Sequence, residues 1–283
     1  MMPDIVSLCL NALTLMSILM LVALGLAIIY GLMGIINLSH GEFVTIGAYT
    51  LFTVQAAGGS FWLALVVAPV VGYLLGTVLE IAVIRRLYDR PISTILATWG
   101  LSLILQQAII LTYGAAPRPV TAPFEASVQL LGITYPAYRL FLIVFAFAVM
   151  AACVLVFRKS PFGLDVRAVI QNAGMARALG VNAERVYRRA FASGAALAAL
   201  AGVLIAPLVA VTALMGVNYL ARSFFVVLVG GAGSIPGVIA GSAFVGGLES
   251  LLSTTVPITV AQASVLILAV VIVRFRPQGL VPA

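Results

Sequence analysis

The sequence predicts an all-α polytopic membrane protein of about eight or nine transmembrane segments, and three observations carry that prediction. Of 283 residues, 63% are apolar and only 8% are Asp, Glu, Lys or Arg, against roughly 25% charged in a soluble domain. The mean hydropathy is +1.22. The apolar residues fall into runs near the ~20 needed to cross about 30 Å of hydrocarbon, separated by short Gly-, Pro- or Arg-bearing interruptions. Disorder and collagen do not fit this balance. The net charge is +7, with a single Lys, Lys159, and no recognition stripe. That basicity reads as loop charge setting membrane orientation, and no nucleic-acid partner is expected.

The first run, Ile5–Tyr30, has no basic residue before it, because the first Lys or Arg is Arg85. It is too long for the apolar region of a signal peptide and reads as a retained first helix. Eight more apolar segments follow: Glu42–Ala57, Phe61–Ile84, Ile92–Tyr113, Pro136–Phe157, Arg188–Ala213, Leu220–Val229, Gly237–Thr255 and Ile258–Val273. Two of the nine, Glu42–Ala57 and Leu220–Val229, are short and adjoin Gly-rich polar stretches, so eight full spans with re-entrant pieces is an equal reading. The chain reads as one membrane domain over residues 1–283. Cations gather at Arg85, Arg86 and Arg90, through Arg158, Lys159, Arg167, Arg177, Arg185, Arg188 and Arg189, and at Arg274 and Arg276. By the positive-inside rule these mark cytoplasmic loops, placing the N-terminus outside and the C-terminus inside.

Two loops exceed simple turns. The outer one, residues 114–135, holds Pro117, Pro119 and Pro123 and then alternating polar and apolar residues, which suggests an extended cap. The inner one, residues 158–187, contains an amphipathic helix: Val166, Val169, Ile170, Ala173, Ala176 and Leu179 share one face, and Asp165, Arg167, Gln171, Asn172 and Arg177 the other. Gly180 is expected to end it, and Asn182 to cap a second short helix with Glu184 in its first turn. Its shallow, Ala-rich apolar face favours a protein contact over a lipid anchor.

Two glycine-rich breaks interrupt the apolar pattern, Gly31 to Glu42 and Gly230 to Gly237. Paired interruptions in the two halves suggest an internal duplication around a transport pathway. Polar residues at membrane depth are functional candidates by default. Asn37, Ser39, His40 and Glu42 form the densest group, either satisfying the broken backbone or lining a route, with His40 and Glu42 expected to pair. Thr98, Ser102 and Gln106 recur every four residues and share a helix face. Glu249 needs a partner, for which Arg222 is the candidate. One His and one Glu leave too few ligands for a metal, and no nucleophile motif supports hydrolysis. Gly72 with Gly76, Gly237 with Gly241, and Ser242 with Gly246 are close-approach pairs for internal packing or a subunit interface. No GxxxxGK[ST] occurs, so the chain carries no phosphate-cradling loop and no cofactor of its own is expected. A stand-alone channel or secondary carrier stays open on these grounds.

Four stretches resemble one family, the permeases of bacterial ATP-binding-cassette importers for branched-chain amino acids, of the LivH type. They are Tyr30 to Phe43 with Ile46 to Tyr49, Arg90 to Gln107, Arg167 to Asn172 with Met175 to Val181, and Val229 to Gly237 with Phe275 to Leu280. The related urea and short-amide permeases are similar, and the Gly-Ser-Ile-Pro-Gly stretch leans towards amino acids. The resemblance implies a bacterial inner-membrane subunit working with a second homologous permease, two cytoplasmic ATPase subunits that use the ATP, and an extracytoplasmic solute-binding protein. The polar residues at membrane depth, Asn37, Ser39, His40, Glu42, Thr98, Ser102, Gln106 and Glu249, are the candidates for the substrate path. The resemblance also implies ATPase coupling through Arg167, Gln171, Asn172, Ala176 and Gly180. Of the general Glu-Ala-Ala coupling motif with its later Gly, Ala176 and Gly180 fit, whereas Gly174 and Met175 stand in the first two places.

Overall fold

The computed structural model describes residues 2–88, 90–130, 132–276 and 278–281. It contains ten α-helices among those residues: α1 (Met2–Met33), α2 (His40–Ala56), α3 (Phe61–Ala82), α4 (Pro91–Tyr113), α5 (Ala137–Lys159), α6 (Pro161–Ala178), α7 (Ala183–Ile205), α8 (Met215–Gly230), α9 (Ile235–Leu252) and α10 (Ile258–Phe275). Seven of them are long and apolar enough to cross a membrane, while α2 and α8 are shorter. The protein is therefore a multi-pass helical membrane protein, with the nine apolar segments where the hydrophobic runs place them. The outer loop adds one departure from all-α structure: β1 (Ser127–Leu130) pairs antiparallel with β2 (Ile133–Pro136), Val128 opposite Tyr135.

Helices α1 and α7 form the centre. About three-quarters of the most apolar 18-residue stretch of each is buried inside the chain, with α1 packed on α5, α7, α8 and α9, and α7 on α1, α2 and α3. Water drives no helices together within lipid, so close backbone approach has to supply the packing. A Cβ added at Gly25 would lie 2.4 Å from the Gly194 carbonyl oxygen, so α1 and α7 touch main chain to main chain. The predicted small pairs are all used inside the chain: Gly72 and Gly76 on Ala195 of α7, Gly237 and Gly241 on α8, and Gly246 on Met16 of α1. Peripheral helices expose aliphatic surface, as at Leu96, Ile104 and Leu111 of α4 and Ile267 and Val270 of α10, as lipid requires.

The second short helix expected at Asn182 does not stand alone. Asn182 caps α7 itself, its Oδ1 accepting from Arg185 N at 2.9 Å, and α7 continues unbroken into the sixth apolar segment. The first apolar turns favour continuation because no Gly or Pro intervenes before Gly194.

Candidate functional site

The first break is an excursion back into the bundle. Helix α1 ends as Gly34 takes φ +63 and its N–H donates to the Tyr30 carbonyl at 2.8 Å. The chain then climbs beside α1 until His40 Nε2 lies 3.1 Å from the Val22 carbonyl oxygen, roughly three turns or 16 Å back from the end of α1. Helix α2 therefore starts deep inside the bundle. Asn37 shapes the turn: its Oδ1 accepts from Ser39 N at 3.0 Å and from Ser39 Oγ at 2.7 Å, an Asx turn that satisfies backbone freed by the break.

Helix α4 closes on this start. Thr98 Oγ1 accepts from Leu38 N at 3.1 Å. Glu42 Oε1 accepts from Ser102 Oγ at 2.8 Å and from Gln106 Nε2 at 2.7 Å. The polar group at the first break and the four-residue series on α4, separate candidates in the sequence, thus meet in one buried polar seam. Beyond the buried seam, Thr94 Oγ1 donates to the Leu87 carbonyl at 2.7 Å at the start of α4, and at the other end Tyr113 OH lies 2.9 Å from the exposed Thr53 Oγ1. Thr94 is detectable in the sequence, since it sits four residues before Thr98. The expected His40–Glu42 pair does not form. Two residues apart on a helix, they point to different faces, His40 to α1 and Glu42 to α4. Asn37 Nδ2, His40 Nδ1 and Glu42 Oε2 are buried with no hydrogen-bond partner among the described residues.

Glu249 belongs to a different cluster. Its Oε1 lies 3.4 Å from Arg222 Nη1 on α8 and accepts from Gln262 Nε2 on α10 at 3.0 Å. The expected Arg222 partner is present because α8 packs directly on α9. Gln262 gives no sequence signal beyond being one polar residue in an apolar helix.

The second break differs in form from the first. Gly231 and Gly233 take positive φ, and Ser234 caps α9 at once by accepting from Gly237 N at 3.1 Å, so this break is a tight turn. The two breaks meet: a Cβ added at Gly31 would fall 2.5 Å from Gly233 Cα. The tail fastens the junction, with Leu280 N donating to Val229 O at 2.7 Å and Val281 N to Gly230 O at 2.9 Å. Beside it, Ala27, Gly31, Phe157, Arg167, Ile170 and Pro236 help line a cavity of about 530 Å³.

The inner helix α6 is two helices joined at Asn172, which is extended at φ −162, ψ 101. Asn172 Oδ1 accepts from Met175 N at 2.9 Å and so caps the second piece. That piece ends as expected at Gly180, φ +89, with Val181 N donating to the Ala176 carbonyl at 2.9 Å. Arg167 donates to the Phe157 carbonyl, Gln171 is exposed, and Ala176 is buried. The predicted apolar face needs correction. Val166, Val169 and Ala176 are buried, but Ile170 and Leu179 are 51% and 78% exposed. The break at Asn172 shifts the phase of the last turns, leaving Leu179 with Met175 on the free side.

With this geometry in view, residues 8–274 match the family described as branched-chain amino acid transport system / permease component. The chain belongs to that family. The permease is 29% identical to the high-affinity branched-chain amino acid transport system permease protein LivH of Salmonella typhimurium, over 95% of this chain and 93% of that protein. It is equally similar to BraD of Pseudomonas aeruginosa, with the same coverage of both chains. The corresponding LivM protein of Escherichia coli (strain K12) is 26% identical over 95% of this chain and 69% of its own length. Among solved structures, PsaBC from Streptococcus pneumoniae in complex with Fab overlays with a TM-score of 0.49 at 14% identity, over 94% of this chain and 89% of that one.

Proposed function

We propose that the permease is the membrane pathway of an ATP-binding-cassette importer for branched-chain or related amino acids. The carrying observation is that the family match runs through residues 8–274, the whole helical bundle. In this reading a second homologous permease completes the pathway, two ATPase subunits act at the arginine-rich end, and a solute-binding protein delivers cargo to the opposite end. The clustering of Arg85, Arg86, Arg158 and Lys159 at that end supports a cytoplasmic assignment for it, with the N-terminus outside and the C-terminus inside.

Helix α6 is the coupling element. Its second piece is short, capped at both ends, and presents Met175 and Leu179 outward while Ala176 anchors it, a shape suited to receiving a push from a protein partner. Arg167, Gln171, Asn172, Ala176 and Gly180 set its geometry. Motion of α6 reaches the pathway through the cavity it shares with both glycine breaks, switching the bundle between alternative states. The Asn37, Ser39, His40, Glu42, Thr98, Ser102 and Gln106 seam, with Glu249 at a second cluster, borders the route. The chain itself holds no cofactor and no metal in this mechanism, and its residue-to-cargo contacts need only be transient.

The test is uptake of radiolabelled leucine, and of urea, in vesicles of defined orientation holding the permease together with a second permease, ATPase subunits and a solute-binding protein of the same importer class. ATP-dependent leucine uptake that disappears without the ATPase subunits is expected. Uptake that persists without any ATPase, or uptake of urea alone, refutes the assignment. Cysteines introduced at Thr254 and at Leu179 report orientation by their labelling from opposite sides.

A further inference from the structure

At the arginine-rich end, the ends of α1, α3 and α6 and the start of α7 surround a second cavity, of about 650 Å³. Arg85, Arg86 and Arg177 line it, with the rings of Tyr88 and Tyr187 packed together at 4.9 Å between centroids. Glu184 is the carboxylate among the lining residues, and it is paired with Arg85. Glu80 lies behind the cavity, its Oε1 accepting the Tyr88 hydroxyl. Among the described residues no ion pair engages Arg86 or Arg177. Among the described residues, two guanidinium groups thus line an open space of ligand size without an ion-pair partner. A guanidinium presents a planar fork of donors that matches phosphate oxygens two at a time.

The cavity is also apolar on its membrane side, where Met33 and Ile81 line it. Ile81 ends an exposed aliphatic stripe on α3 that includes Val66, Val70, Leu74 and Val78, spaced at three and four residues and so continuous along one helix face. Charged donors at the mouth and a lipid-facing apolar track leading out of it describe an amphiphile, with an anionic head and hydrocarbon tails. Basic pockets between transmembrane helices suit anionic headgroups for this reason. A soluble phosphate compound would make no use of the apolar track.

We propose that this cavity holds the phosphate headgroup of an anionic phospholipid, with Arg86 and Arg177 on the phosphate oxygens and the acyl chains along the α3 stripe. The bound lipid bridges the end of α3 to the second piece of α6, through Arg177, so it tethers the outward-facing part of α6 to the bundle. This site is independent of the cargo assignment and stands or falls without it.

The experiment uses the full chain, purified and delipidated in detergent, with melting followed through Trp62 and Trp99. Phosphatidylglycerol is expected to raise the melting temperature by roughly 5 °C at saturation, whereas phosphatidylcholine and inorganic phosphate leave it unchanged. Arg86→Gln and Arg177→Gln should each remove at least half of the rise, and Lys159→Gln, outside the cavity, none of it. Native mass spectrometry should show a several-fold lower occupancy of one phosphatidylglycerol in each arginine variant. An equal rise with phosphatidylcholine, a rise reproduced by inorganic phosphate, or full retention in both arginine variants overturns the proposal. No response to phosphatidylglycerol overturns it too and leaves the cavity to a protein partner. Should the Gln variants fold poorly, Arg86→Lys and Arg177→Lys keep the charge, and competition between the two lipids on the unmodified chain separates the same outcomes.

Discussion

Glu42→Ala is the sharpest probe of how α4 is held. Glu42 Oε1 accepts two side-chain hydrogen bonds from α4, at 2.8 and 2.7 Å, and Gln106 also donates to Ser102 at 2.9 Å. Hydrogen bonds to charged groups contribute about 1.5–3 kcal/mol each in soluble proteins, but interhelical bonds in lipid average about 0.6 and reach about 1.7 kcal/mol. Two bonds to one buried oxygen therefore place Glu42→Ala near 2 kcal/mol, a factor of about 30 in the unfolding constant. Glu42→Gln keeps a carbonyl oxygen in the same place and should cost less than about 0.7 kcal/mol. The assay is denaturation in mixed SDS and detergent micelles, read through Trp99 on α4 in a Trp62→Phe background. A double-mutant cycle of Glu42→Ala with Gln106→Ala should show a coupling of about 1 kcal/mol. Additivity of the two within about 0.3–0.5 kcal/mol, the scatter of independent sites, would refute the seam as the attachment of α4.

Four further outcomes follow from the packing and the caps. Gly25→Ala forces a Cβ against the Gly194 carbonyl and should lower stability by about 1–3 kcal/mol, while Gly100→Ala, with open space around it, should be neutral or stabilising in the same micelle titration. Arg222→Leu leaves Glu249 buried without its cation and should cost about 3 kcal/mol, visible as lost folded yield, with Arg222→Leu combined with Glu249→Leu recovering most of it. Asn172→Ala removes the cap of the second piece of α6 and should cost that piece about 1 kcal/mol, measured as faster hydrogen exchange at the Met175 amide with the overall melting temperature nearly unchanged. Arg85→Ala breaks a half-exposed pair with Glu184 and should change stability by less than about 1 kcal/mol, so a larger loss would mean that Arg85 does more than pair.

Much of this architecture is legible in the sequence because a bilayer leaves few options. Long apolar runs must be helices, and Ile5–Tyr30, Ile92–Tyr113 and Ile258–Val273 all appear where the runs place them. The four-residue spacing of Thr98, Ser102 and Gln106 correctly marks one face, and Asn182 and Gly180 behave as cap and stop. Phase and partner are less legible. A single helical period does not run through Asn172, whose side chain competes with the helix by capping the next turn, so Leu179 falls on the exposed side, while Ile170, ahead of the break, is exposed at the cavity it lines with Arg167. His40 and Glu42 do not pair because closeness in sequence is not closeness of side chains on a helix. The depth of α2 is hidden as well, since nothing local to Gly34 or Asn37 reveals that the chain turns back along α1 rather than leaving the membrane.

The encasement of α1 bears on how the protein assembles. Synthesised before the helices that cover it, α1 meets the bilayer ahead of them, and every face later covered by α5, α7, α8 and α9 must first dwell against acyl chains. Its sides between Ile18 and Ile29 are almost entirely aliphatic, with no buried charge, so waiting carries little penalty. The decisive event is the stripping of lipid from Gly25 when α7, synthesised well over a hundred residues later, arrives with Gly194. A helix that reads as an ordinary anchor is thus an axle, comfortable in two solvents in turn, and the rest of the bundle is threaded around it.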